Sequence, residues 1–157
     1  PKHILRLNPP ENLGLVISIP KVKLPANKTR FARSILPRET SLSNLSISIA
    51  YASRVVAGFL TSDVKLIGES LKDPVIEPIR SKLIPGFYKA KKAALEAGAY
   101  GFIISGAGPS TVAIIDTRRV SYSEVGRAIK QAFESEGINT DIHYAKPSDG
   151  AKVIEHG

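Results

Sequence analysis

The stretch Gly98-Ala99-Tyr100-Gly101-Phe102-Ile103-Ile104-Ser105-Gly106-Ala107-Gly108-Pro109-Ser110-Thr111-Val112-Ala113-Ile114-Ile115 decides how the rest of the chain reads. Tyr100 to Ile104 and Thr111 to Ile115 are apolar runs too short for helices and of the right length for strands. Between them lies a turn built from Gly, Ser and Pro, so two adjacent strands flank a glycine loop. Upstream, Gly98 is a stop for a helix in which Phe87, Ala90, Ala94 and Leu95 line one side and Pro85 suits the first turn. Downstream, Ser121-x-x-Glu124 is a capping box, Val125, Ile129, Ala132 and Phe133 form a buried stripe, and Gly137 ends that helix. Ile138, Thr140, Ile142 and Tyr144 then alternate with polar residues, as a half-buried strand does.

Toward the N-terminus, Leu15 to Ile19 reads as a short strand between Gly14 and Pro20, followed by extended chain through Lys21 to Leu24 up to Pro25. Thr29 is expected to cap a short helix through Arg30, Phe31, Arg33 and Ile35, stopped by Pro37. Leu42, Leu45, Ile49, Ala52, Val56 and Phe59 recur at three- and four-residue intervals, which predicts an amphipathic helix over residues 42–60. Ser62-Asp63 caps a shorter helix carrying Val64, Ile67 and Leu71. Asp73 to Arg80, interrupted by Pro74 and Pro78, is expected to be irregular. The order is one strand, several helices, two strands, a helix and a strand: an α+β sheet with helices banked on one face. Residues 146–157 read as a polar tail.

At 157 residues, 43% hydrophobic and 23% charged, the chain suits one domain with its own core. Its longest apolar stretches fall far short of the roughly 18 residues of a spanning helix, and its first residues lack the pattern of a secretory leader. The first residue is Pro1 rather than methionine, as a fragment or a clipped start would have it. The absence of cysteine excludes disulfide scaffolds, thiolate zinc sites and thiol nucleophiles. His3, His143 and His156 lie far apart without ligand spacing, so no metal site is expected within the chain.

The net charge of +8 is concentrated toward the N-terminus, where residues 1–99 hold most of the Lys and Arg. Such a field favours anionic partners, although a solvated lysine-rich face would read the same way. Nucleic acid is disfavoured, because the expected strands carry no aromatic stacking signature.

Gly106 and Gly108 can adopt backbone angles closed to other residues and let amide N–H groups approach an anion, although an ordinary hairpin turn has the same composition. The loop is neither a Walker A motif, since no Lys and hydroxyl follow its second glycine, nor a dinucleotide fingerprint, since a strand follows it. Arg33, one helical turn beyond Thr29, and Arg80, on a proline-stiffened segment, are the cations best placed to fork onto a carboxylate. For Arg80 the plainer reading is a salt bridge to Glu77 or a solvated side chain.

Leu83-Ile84-Pro85-Gly86-Phe87, followed by Gly98 to Ser110, closely resembles the C-terminal half of homoserine kinases, within the family that also phosphorylates galactose, mevalonate and phosphomevalonate (the GHMP kinases). Thr29-Arg30-Phe31-Ala32-Arg33 with Ile35-Leu36-Pro37, and Glu77 to Pro85, extend the likeness, which runs from about Pro9 to Tyr144. The resemblance implies a ferredoxin-like GHMP kinase C-terminal domain with an antiparallel sheet over residues 1–157. With an N-terminal ATP-binding domain it would close over ATP, Mg2+ and L-homoserine. It implies that Thr29, Arg33 and Arg80 face the amino-acid substrate and that Ser105, Gly106, Gly108 and Ser110 form a glycine loop beside the phosphate site. Ala107 stands where relatives often have serine, leaving that position a backbone role only.

The family's own phosphate loop, Pro-x-x-x-Gly-Leu-x-Ser-Ser-Ala, is not found. Pro10-Glu11-Asn12-Leu13-Gly14-Leu15 imitates its start, but a strand pattern follows. Nor are magnesium carboxylates evident. The expectation is therefore the substrate-binding half of a cytoplasmic kinase of threonine biosynthesis, inactive by itself, with no catalytic residue assigned within the chain. Its partners would be L-homoserine, ATP and the N-terminal domain, with a homodimer left open and no membrane or nucleic acid. A ferredoxin-like amino-acid-binding regulatory module without catalysis is the alternative.

Overall fold

The computed structural model describes residues 6–23 and 27–148. In chain order the elements are β1 (Leu13–Pro20), α1 (Lys28–Ser34), α2 (Leu42–Leu60), α3 (Val64–Glu69), α4 (Glu77–Arg80) running into a 3-10 turn (Ser81–Leu83), α5 (Phe87–Glu96), β2 (Gly101–Ile104), β3 (Thr111–Asp116), α6 (Tyr122–Glu134) and β4 (Thr140–Ala145). The four strands form one antiparallel sheet in the order β2-β3-β1-β4. That order and the crossovers through helices are the ferredoxin-like α+β arrangement expected from the sequence.

The pleat sorts the sheet's side chains into two layers. Val16 opposes Ala113 and, with Ile115 and Phe102, faces α5 and α6 in the main core, where Phe87, Val125, Ile129 and Phe133 are fully enclosed. Each buried Phe contributes about 1.5–3 kcal/mol relative to exposure. Ser18 and Thr111, opposed in the register, satisfy each other by a hydroxyl–hydroxyl hydrogen bond inside the sheet. Leu13 and Ile114 point to the reverse face, where Val64 of α3 meets them with Phe59 and Tyr100 packed alongside.

A single helical face therefore holds for α5 and α6 but not for α3. Its approach depends on close backbone contact: a Cβ at Gly101 would lie 2.2 Å from the Gly68 carbonyl oxygen. Hydrophobic periodicity carries no signal for such glycine-to-glycine packing.

Several local expectations need correction. α1 starts at Lys28, so Thr29 lies inside the helix; Asn27 takes the cap position without a side-chain hydrogen bond. Pro85 precedes Gly86, the N-cap of α5 at φ 77, and so lies outside that helix. Arg80 ends one helical turn, α4, instead of lying on irregular chain, because Pro78 sits in its first turn, where no N–H is needed. Residues 24–26, including Pro25, and 149–157, most of the expected polar tail, lie outside the described residues. Among the described residues no helix is long and apolar enough to cross a membrane.

The helix expected over residues 42–60 has those bounds, but its apolar stripe is not buried: Leu42 is 82% exposed, Ile49 57% and Val56 43%. The side of α2 that meets α3 is the one carrying Gly58, beside Ile67.

The capping box of α6 is formed in full. The Ser121 hydroxyl accepts from the Glu124 N–H at 3.3 Å, and the Glu124 carboxylate accepts from the Ser121 N–H at 2.9 Å. Ser121→Ala is expected to cost about 1 kcal/mol, a fall in Tm of about 2–4 °C for this length, read by thermal unfolding. Hydrogen bonds from the Ser121 side chain and backbone hold the Glu124 carboxyl below its ordinary pKa. Its contribution is thus present above the usual carboxylate range and lost as pH falls through the folded pKa. The gap between variant and parent should narrow on acidification.

Candidate functional site

The segment leading to Arg80 is set by local hydrogen bonds. Asp73 Oδ1 accepts from the N–H groups of Val75 at 2.9 Å and Ile76 at 2.7 Å, folding the chain into α4. Arg80 is thereby placed at the end of that turn, half-buried, and its Nη1 donates to the Gly106 carbonyl oxygen at 2.8 Å. Its Nε is buried without a partner in the described residues.

The Arg80–Glu77 salt bridge is not formed. Glu77, 9% exposed, instead accepts from Lys91 of α5 at 2.6 Å through Oε1, while its Oε2 is buried and unpartnered. Removing either partner of such a pair would strand the other charge in a poorly hydrated position. This ion pair joins α4 to α5, and no sequence pattern announces it because its members are far apart and on different elements.

The glycine loop is closed at its base by the Ser105 N–H donating to the Ser110 carbonyl at 2.8 Å and the Gly108 N–H donating to the Ser105 carbonyl at 3.1 Å. Gly106 at φ 60 and Gly108 at φ 82 occupy left-handed backbone that a side chain would strain. A Cβ at Gly106 would meet nothing within 4 Å, so that edge of the loop is open. The N–H groups of Gly106 and Ala107 have no acceptor among the described residues. Two successive N–H groups without an acceptor among the described residues, on the loop that Arg80 touches, are donors suited to a carboxylate or phosphate oxygen.

Arg80 and the loop residues Ser105, Gly106, Gly108 and Ser110 are thus brought together. Thr29 and Arg33 share the exposed side of α1, and no hydrogen bond or ion pair among the described residues ties them to Arg80 or to the loop. The imitation of a phosphate loop at Pro10 to Leu15 runs into β1, so it offers no helix N-terminus to an anion. Among the described residues no group of three or more acidic or imidazole side chains could hold a metal ion. The glycine loop has no carboxylate of its own, and Glu77 is engaged by Lys91.

Comparison with known proteins bears on the family and the fold. Residues 55–139 match the family described as GHMP kinases C terminal. The chain is similar to a homoserine kinase of Chlorobium phaeobacteroides, 40% identical over 98% of this chain and 48% of the relative. A homoserine kinase of Thermococcus gammatolerans is 37% identical over 90% of this chain and 46% of the relative. The crystal structure of homoserine kinase from Cytophaga hutchinsonii superposes with a TM-score of 0.83 at 39% identity, covering 90% of this chain and 44% of that one. The chain spans about half the length of the curated relatives it matches. With the family match covering more than half of its residues and the fold in agreement, this chain belongs to the GHMP kinases and forms their C-terminal domain.

Proposed function

We propose that the chain, over residues 1–157, is the substrate-binding C-terminal half of a homoserine kinase. The parent enzyme moves the γ-phosphoryl group of ATP onto the side-chain hydroxyl of L-homoserine, a step of threonine biosynthesis in the cytoplasm. The hydroxyl oxygen bonds to phosphorus, the bond to ADP breaks, and the hydroxyl proton is released. The observation that carries the reading is the hydrogen bond from Arg80 to Gly106, which ties a carboxylate-seeking cation to a loop with free N–H groups.

Within the chain, Arg80 and Arg33 grip the substrate carboxylate, with Thr29 alongside as a hydrogen-bonding side chain. Ser105, Gly106, Gly108 and Ser110 support the phosphate side. The other half supplies the phosphate loop and any magnesium carboxylates, and catalysis rests on positioning and charge neutralisation. Names of the relatives, and identities of 40% and 37%, support this substrate over others of the family.

The test measures ADP release from ATP with and without L-homoserine. The full-length protein containing this chain is expected to turn over, and the 157-residue chain alone is not. Turnover by the chain alone overturns the division of labour; a silent full-length protein overturns the activity.

A further inference from the structure

α2 contains 19 residues but one charged side chain, Arg54. Of its apolar stripe, Leu42, Leu45, Ile49, Ala52 and Val56 are exposed and Phe59 alone is half-buried, while Leu60 beside it is 63% exposed. The side partly covered by the chain itself carries Asn44, Ser48, Tyr51, Val55, Gly58 and Phe59, the last packed against the cluster of Leu13, Val64 and Ile114. Most of the apolar stripe thus turns away from the body of the domain, whereas the apolar face of an amphipathic helix usually turns inward. A contiguous exposed patch of this kind marks an interaction surface, and without charges it would bind by apolar burial.

The length of the relatives identifies the occupant. The chain covers 48% and 46% of the two relatives above, and the solved homoserine kinase carries the same domain within a chain more than twice as long. We infer that the Leu42–Leu45–Ile49–Val56 stripe of α2 is the seat on which the other half of the full-length polypeptide docks. This rests on the half-enzyme reading. Docking there holds the second half against the connection that runs from α1, with Thr29 and Arg33, into α2.

The absence of cysteine from this chain makes the test direct. Ile49→Cys and, separately, Val56→Cys are introduced into the full-length protein, with Lys92→Cys on exposed α5 as the reference. Alkylation by iodoacetamide is followed by peptide mass spectrometry in native and urea-unfolded protein.

The stripe positions are expected to react at least about tenfold more slowly in the native protein than unfolded, as covered sites do. Position 92 should stay near its unfolded rate, and the protection should not change on dilution or with salt. Stripe cysteines as reactive as position 92 overturn the inference. So does protection lost on dilution, which would assign the face to a second copy, or protection that needs added phospholipid vesicles. The same Ile49→Cys protein is assayed for homoserine phosphorylation. Activity without protection sinks the docking seat alone, and protection without activity sinks the kinase reading alone.

Discussion

Replacing Arg80 by alanine in the full-length enzyme is expected to raise the homoserine KM at least about tenfold, since two lost charge-assisted hydrogen bonds exceed the 1.4 kcal/mol that a tenfold change represents. The structure refines this, because one guanidinium nitrogen is already committed to the Gly106 carbonyl. A substrate carboxylate would therefore meet the remaining nitrogens, with the Gly106 contact fixing the plane of the fork. The loop keeps two other hydrogen bonds, Ser105 to Ser110 and Gly108 to Ser105. Its shape should survive, so the ATP KM is expected to move by less than about threefold, under 1 kcal/mol.

Arg80→Lys keeps a charge but offers a single ammonium in place of a planar fork, and should recover only part of the loss. Initial-rate kinetics with each substrate varied separates the roles. An unchanged homoserine KM with a raised ATP KM would make Arg80 a loop anchor and nothing more.

Gly101→Ala is expected to have the largest effect on stability. The new methyl would lie 2.2 Å from the Gly68 carbonyl oxygen and 2.8 Å from its carbon, and both are backbone atoms that cannot rotate away. Relief requires α3 to separate from β2, opening the reverse-face cluster of Leu13, Val64 and Ile114. Overpacking commonly costs about 1–3 kcal/mol and here should reach about 3 or more, a Tm lowered by roughly 10 °C out of a total stability of about 5–15 kcal/mol.

Gly137→Ala is the comparison. It has open space around it but φ 74, so only backbone strain of about 1 kcal/mol opposes the methyl. Thermal unfolding of both variants reads the difference. Equal losses would show that the close approach of α3 to β2 does not govern stability.

The α6 capping box, the Gly98 stop of α5 and the alternation through β4 were legible because each is a relation among residues a few positions apart. The glycine loop was legible for the same reason, in its position if not its contacts. The stripe on α2 predicted its helix and bounds correctly but not its exposure, since a repeat of three and four residues specifies that one face is apolar but not what covers it. Thr29 was misplaced as a cap because any hydroxyl near a helix start gives the same signal.

By itself the sequence determined the strands and the helices other than α4, their order, the α+β class and the family, all of which depend on short-range patterns of side-chain type. Only the tertiary structure decided that Arg80 holds Gly106 while Glu77 turns to Lys91, and that α3 crosses the sheet at Gly68 and Gly101. These are contacts between residues distant along the chain, selected by the closing geometry of the whole core.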